Sequence, residues 1–279
     1  MTRTRSRSRT WVVARTELRQ LQQSPDFWMP MLILSALFFV VIPTILLFAI
    51  THVPNQAVVQ KVATTLDILP PRAKAAIHGF SPAGRTSYAL AVYLFAPLAV
   101  IVPMTISTAV GANALVGEKE KGTGEFLAHS PATEREIYLG KLIASLIPGY
   151  VTTILGFAVY SLIVNLIVGP QVGGWFFPTS DWWILMFWVV PPFLAITLSV
   201  VLRLSARVRS SAAAQQASGL VTLPLIMVAY AQSSGVLLGA GSTAIALGAV
   251  AWVAAIWGLR RGARAVTRAR LLGVEGASL

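Results

Sequence analysis

The sequence predicts an all-α membrane protein with six transmembrane helices, and three observations carry that expectation. Hydrophobic residues make up 56% of the 279 positions and charged residues only 11%, against about a quarter charged in a soluble domain. The uncharged stretches are long enough to cross a hydrocarbon core of roughly 30 Å at about 1.5 Å per helical residue. Lys and Arg gather at every second connection, the pattern that holds short loops on the cytosolic side.

Each element follows from local pattern. Trp11, Ala14, Leu18 and Leu21 recur at helical spacing with Arg15, Arg19 and Gln22 on other faces, which predicts an amphipathic interfacial helix over 10–23, turned into the membrane at Ser24-Pro25-Asp26. Residues 1–9 read as a basic, disordered topology signal. Span one covers 27–50, 24 residues without a charge. The first apolar run is too long and too far from the start for a cleaved signal peptide. In the external loop that follows, Val58, Val59, Val62, Leu66 and Leu69 form a stripe ending at Pro70-Pro71, either an interfacial helix or a cap on the bundle. Span two covers 87–116, with Pro97 and Pro103 as kinks that neighbouring helices tolerate. Spans three and four cover 142–168 and 182–202, separated by the turn-forming GPQVGGWFFPTSD. The 50 uncharged residues of 210–259 supply two more spans, 212–231 and 235–259, with a turn at Gln232-Ser233-Ser234. All of 1–279 reads as one domain.

The charge count orients these spans. Of the 22 Lys and Arg residues, 18 fall before span one, between spans two and three, between four and five, or after six, and only Lys61, Arg72, Lys74 and Arg85 fall in the first external loop. Both termini are therefore expected in the cytosol. The net charge of +12 is read as a topology signal in contact with anionic membrane lipids, with no nucleic acid as partner.

Several chemistries have no residues to run on. Cysteine is absent and His52, His78 and His129 are scattered without zinc-binding spacing, so no metal or thiol site is expected. No catalytic residues are assigned. Ionisable groups are missing from the middle of the spans, which argues against a proton-coupled carrier. Asp181 is expected at the outer edge of span four, and Gly235 and Gly239 form one G-x-x-x-G in span six.

One polar island interrupts the apolar chain: GEKEKGTGEFLAHSP, 117–131. Glu118 to Lys121 extend span two as helix, Gly122-Thr123-Gly124 breaks it, and Thr123 is a candidate N-cap for a short helix through Glu125, Phe126 and Leu127 that ends at Ser130-Pro131. Phe126 and Leu127 would then be displayed to water. Such a tip either docks in a groove on a soluble partner or is a solvated loop marking topology. Downstream, Thr133 and Glu136 have capping-box spacing.

This island, continued through ATEREIYLGK, resembles the E-K-E-x-G-T-x-E-x-L-x-x-[ST]-P…LGK signature of the ABC type-2 permeases, the membrane subunits of ATP-binding cassette exporters. RTELRQLQQSPDFWMPMLIL is similar to the family's amphipathic N-terminal helix and its entry into span one. SARVRSSAAAQQASGLVTLPLIM resembles the segment around its span five. The resemblance implies that the loop between spans two and three holds a coupling helix inserted into a cytosolic ATPase, with Glu118, Glu120, Gly122, Thr123, Glu125, Phe126, Leu127 and Pro131 at that contact. Lys141 also matches the pattern, whereas Gly124 stands where an apolar residue is usual and would soften or delay the helix.

The chain has no G-x-x-x-x-G-K-[ST], so it lacks a P-loop of its own. The resemblance therefore implies a separate ATPase subunit binding ATP and Mg, and a second permease chain, identical or not. It also implies a substrate path lined by spans two and five, where Thr105, Thr108, Asn113, Gln215 and Thr222 are the polar candidates, and a location in a prokaryotic cell membrane. An autonomous carrier, or a scaffold recruiting a cytosolic partner, is the alternative.

Overall fold

The computed structural model describes residues 3–52, 64, 74–208, 210–233 and 241–262. Among these, the chain forms helices and turns and no strand. Helix α1 (Arg3–Gln23) leads into α2 (Pro25–His52). Then come α3 (Pro82–Glu120), the short α4 (Gly124–Ala128), α5 (Glu134–Ile167) and α6 (Ser180–Arg207). The series closes with α7 (Ser211–Ser233) and α8 (Gly241–Gly262). The stripe at 58–71 and the Gly235/Gly239 pair lie outside the described residues.

Five helices among the described residues are long and apolar enough to cross a membrane: α2, α3, α5, α6 and the Ser242–Gly262 stretch of α8. They coincide with spans one to four and six of the sequence reading. Helix α7 occupies the place of span five with 23 residues but is not among the five. It continues as helix through Gln232 and Ser233, two of the three residues expected to form a turn. Two further expectations change at the N-terminus. Helix α1 begins at Arg3, so residues 3–9, expected to be disordered, are helical. Its inward edge runs through Val13, Ala14, Glu17, Leu18 and Leu21, while Trp11 stands exposed.

Helix α3 is the hub. In its most apolar window 78% of residues are buried, against 28% in α2 and 22% in α8, because α5, α6 and α7 all pack on it. Helix α1 lies along α5, and α8 along α6. Contact between α3 and α5 is close at Gly149, where a Cβ would sit 2.2 Å from Ser107 Oγ and 2.7 Å from the Pro103 carbonyl; small residues let membrane helices approach in this way. Helix α6 is fastened to α3 by Ser205, whose hydroxyl donates to the Ala112 carbonyl at 2.6 Å and accepts from Val116 N–H at 3.1 Å.

Proline shapes three of the spans. Each contains one π-helical turn, at Leu37–Val41, Leu90–Leu94 and Leu185–Val189, and each turn sits just ahead of Pro43, Pro97 or Pro191. A proline ring clashes with the carbonyl four residues back and offers no N–H, and the wider π turn relieves the clash. The freed carbonyls still need donors in an apolar interior. Tyr160 O–H donates to Ala91 O at 2.7 Å, Trp182 Nε1–H to Val92 O at 2.9 Å and Tyr150 O–H to Met186 O at 3.0 Å. Tyr160 and Trp182 belong to the aromatic cluster with Phe157 and Phe177 that fills the end of the bundle away from α1.

At that far end Asn165 holds the connection from α5 to α6. Its Oδ1 accepts from Phe176 N–H and Phe177 N–H at 3.0 and 3.1 Å, and its Nδ2 donates to Phe177 O and Ser161 O. Of the polar residues the sequence places inside spans, this one serves a loop.

Candidate functional site

The island between α3 and α5 is built from its anchors outward. Helix α3 ends at Glu120 and Gly122 adopts φ +69°, a left-handed turn that glycine makes without cost. Thr123 N–H donates to Glu118 O at 2.9 Å and the Thr123 hydroxyl donates to the Glu118 carboxylate. Thr123 therefore precedes α4, as expected of an N-cap, but its side chain turns back to α3 and makes no capping bond to α4. Helix α4 starts at Gly124 itself, the position where a glycine was expected to weaken it. On the far side, Thr133 and Glu136 form the anticipated capping box of α5, at 3.3 and 2.8 Å.

Beneath the loop lies a buried ionic junction. Lys141 Nζ donates to Glu17 Oε1 at 2.5 Å and to Glu118 Oε1 at 3.0 Å, with the lysine side chain fully buried and each glutamate side chain 20% exposed. The junction ties α1, α3 and α5 together, and its one cation faces two acids from two other helices. Lys141 matched the sequence pattern as a loop residue; its burial was not anticipated. The missed partner is Glu17, and its signal was its solitude, since it is the single acid in α1. Close by, α1 crosses α5 over Gly140, where a Cβ would meet Val13 at 2.7 Å. Glu120, exposed at the end of α3, also turns to a neighbouring helix: its carboxylate caps α7 by accepting from Ser211 N–H at 2.7 Å and from the Ser211 hydroxyl. Arg9 donates to the Pro131 carbonyl at 2.9 Å.

These anchors sort the eight residues the sequence singled out. Glu118, Glu120, Thr123 and Pro131 hold the loop to the bundle. Leu127, expected on display beside Phe126, is half-buried against the cluster of Leu115, Ile137, Tyr138 and Leu142. Glu120, Thr123 and Pro131 are exposed although bonded back to the bundle; Gly122, Glu125 and above all Phe126, at 80% exposure, face outward with no side-chain bond to it among the described residues. An aromatic ring held that far into water on a fixed helical turn can occupy a pocket on another molecule.

The five polar candidates along α3 and α7 separate by exposure. Thr108 and Thr222 are buried, their hydroxyls donating to Met104 O and Ser218 O one turn back. Asn113 and Gln215 come together from the two helices, both donating to the Ala109 carbonyl, at 3.3 and 3.2 Å. Thr105 and Gln215 are exposed on the surface of the bundle, as is Gln216. Asn113 also lines a cavity of about 560 Å³ that opens over Lys141, Glu118, Glu120 and Glu17. Of the polar candidates on α3, Asn113 is thus the one placed at the ionic junction.

Among the described residues no cluster of three or more metal-ligating side chains occurs.

A bundle of long apolar helices carrying a braced polar loop at one end defines an integral membrane protein with a structured handle. A family description, ABC-2 family transporter protein, matches residues 11–254, and the chain belongs to that family. It is thereby a membrane permease subunit of an ABC transporter, a class that works with an ABC ATPase subunit. No curated protein matches the sequence.

Proposed function

We propose that this chain is the permease of an ABC exporter and that the 117–131 loop couples it to a cytosolic ATPase bearing ATP and Mg. The single observation behind this reading is the exposure of Phe126 on a turn held to the bundle on both sides, by Thr123 before it and Leu127 after it. Motion imposed on α4 would pass through Glu118 and Lys141 into α3, α5 and α1 together, since the junction gives them one shared fastening. Such a loop transmits force; a merely solvated one has no need of a buried lysine. In this reading the loop and both termini lie in the cytosol, α7 completes a set of six spans, and 1–279 is one permease domain in a prokaryotic cell membrane.

The exposed polar stripe on α3 and α7 supports a paired assembly. Thr105, Gln215 and Gln216 would face hydrocarbon in a lone chain, an unfavourable place for amides. A second permease chain set against this face encloses them along a water-filled path, with Asn113 at its mouth. ATP binding and hydrolysis by the partner switch that path between inward and outward access.

The test is to co-express the chain with ABC ATPase subunits from its own genome, purify through a tag on the permease, and measure ATP hydrolysis in reconstituted vesicles for the wild type and Phe126→Asp. Coupling predicts capture of an ATPase and at least a tenfold fall in its permease-dependent activity in the variant, with the permease still monodisperse. Equal activity removes the coupling role of the loop.

A further inference from the structure

We propose that the exposed face of α8 is a binding site for an anionic phospholipid, separate from the substrate path. One continuous helical stripe carries it: Val250, Val253 and Ala254, Trp257, then Arg261, each three or four residues on. Val253 is 70% and Trp257 57% exposed, and with Ala249, Val250 and Ala254 they line a shallow groove of about 570 Å³. From Val250 to Arg261 the helix rises roughly 16 Å, about half a bilayer core, so the groove matches one acyl chain in one leaflet.

The end of that groove is built for negative charge. The Arg261 guanidinium lies 4.0 Å from the Trp257 ring centroid, a stacked arrangement that holds its donors at the level of the indole. Arg260 is exposed beside it. Arg203 of α6 donates to the Gly258 carbonyl, which brings the ends of the two helices together and sets exposed Arg207, one turn further on, at the same level. No carboxylate belongs to either helix end: α6 and α8 carry only arginines there. A headgroup with a net negative charge gains from this cluster and a zwitterionic one does not; each arginine near an anionic surface is worth about a fivefold gain in affinity. The apolar groove and the cationic rim thus select the same ligand, a lipid with a phosphate headgroup and no compensating amine.

Quenching of Trp257 by brominated lipids tests this. The purified chain is reconstituted in phosphatidylcholine vesicles with dibrominated phosphatidylglycerol or dibrominated phosphatidylcholine at equal mole fraction, and the Trp257 signal is isolated as the difference from Trp257→Phe. Brominated phosphatidylglycerol should quench that signal several-fold more strongly at low salt. The preference should shrink as salt is raised, a measurement that needs no further variant, and should vanish in Arg260→Gln/Arg261→Gln. Equal quenching by the two lipids, or a preference that survives salt and the double substitution, overturns the site in favour of bulk lipid contact. Absence of quenching by either lipid also overturns it, because the face is then covered by another protein chain.

Discussion

Replacing Lys141 with methionine isolates the worth of the buried junction. The substitution keeps the length of the stem and removes the one charge that faces Glu17 and Glu118 at 2.5 and 3.0 Å. Breaking a fully buried ion pair by deleting one partner costs about 3–5 kcal/mol, because the other charge is stranded. Here two carboxylates are stranded together, but each glutamate side chain retains 20% exposure and can turn to water, so the cost falls to the lower edge of that range or just below it, about 2–3 kcal/mol. At roughly 2–4 °C per kcal/mol for a chain of this size, the detergent-solubilised protein should melt about 5–10 °C lower by scanning fluorimetry at one fixed heating rate. Adding Glu17→Gln and Glu118→Gln to Lys141→Met should restore most of the loss, since replacing all members of a buried charge cluster by neutral groups is often close to neutral. A single variant melting within 2 °C of wild type, or a triple variant no better than the single, would refute the assignment of Lys141 as the compensating charge of the junction.

Three other outcomes are expected. Tyr160→Phe strands the Ala91 carbonyl in the apolar core and should cost about 1–3 kcal/mol, seen as a lower melting temperature that Phe157→Leu, which deletes no hydrogen bond, does not reproduce in combination as a simple sum. Asn165→Leu removes the acceptor of two backbone N–H groups and should open the 168–179 connection to added protease while the spans stay intact. Cysteines introduced at Ser180 and His129, both exposed, should react with an impermeant maleimide from outside and from inside respectively; the Ser130 hydroxyl is buried, so His129 reports the inner face better. The reverse pattern would invert the proposed topology.

Composition and hydropathy reveal the spans because a lipid-facing helix announces itself by what it lacks, and the charge-free runs of 27–50 and 182–202 need no tertiary context. Boundaries were less legible. Helix α5 starts at Glu134, eight residues before the apolar run, since its first two turns pack on α1 and the loop, where charge is allowed. The capping box at Thr133 was readable because it is local, whereas Thr123 makes no such bond because its backbone is already helical (φ −88°, ψ −6°) where a cap needs the extended form that Thr133 adopts, which leaves its hydroxyl directed to Glu118. The Lys141 junction joins residues 124 and 23 positions apart, and no periodicity encodes such a meeting. Nor does sequence distinguish Phe126 from Leu127: adjacent residues on a one-turn helix point apart, and only the position of Ile137 and Tyr138 decides which one is covered.

That division gives the acidic motif its physical reading. A docking surface built from Glu118 and Glu120 would need free carboxylates, yet both are held, one by Lys141 and one by the first turn of α7. Their work is to fix where α4 stands relative to three helices at once, which is what a lever requires at its pivot. On the proposed coupling role, the partner would need to grip only Phe126 and its exposed neighbours, and the grip would be useful because the turn beneath it is tied to the bundle at Thr123 and Leu127. The same argument makes a sharp distinction between two substitutions. Phe126→Asp should abolish transmission while leaving the melting temperature within about 1 °C, because the ring is exposed. Glu120→Gln should leave the grip intact but loosen α7, uncoupling hydrolysis from the α3–α7 path, so that ATPase capture survives while permease-dependent stimulation falls. If Glu120→Gln lost the ATPase as completely as Phe126→Asp does, the glutamate would be part of the docking surface and the pivot reading would fail.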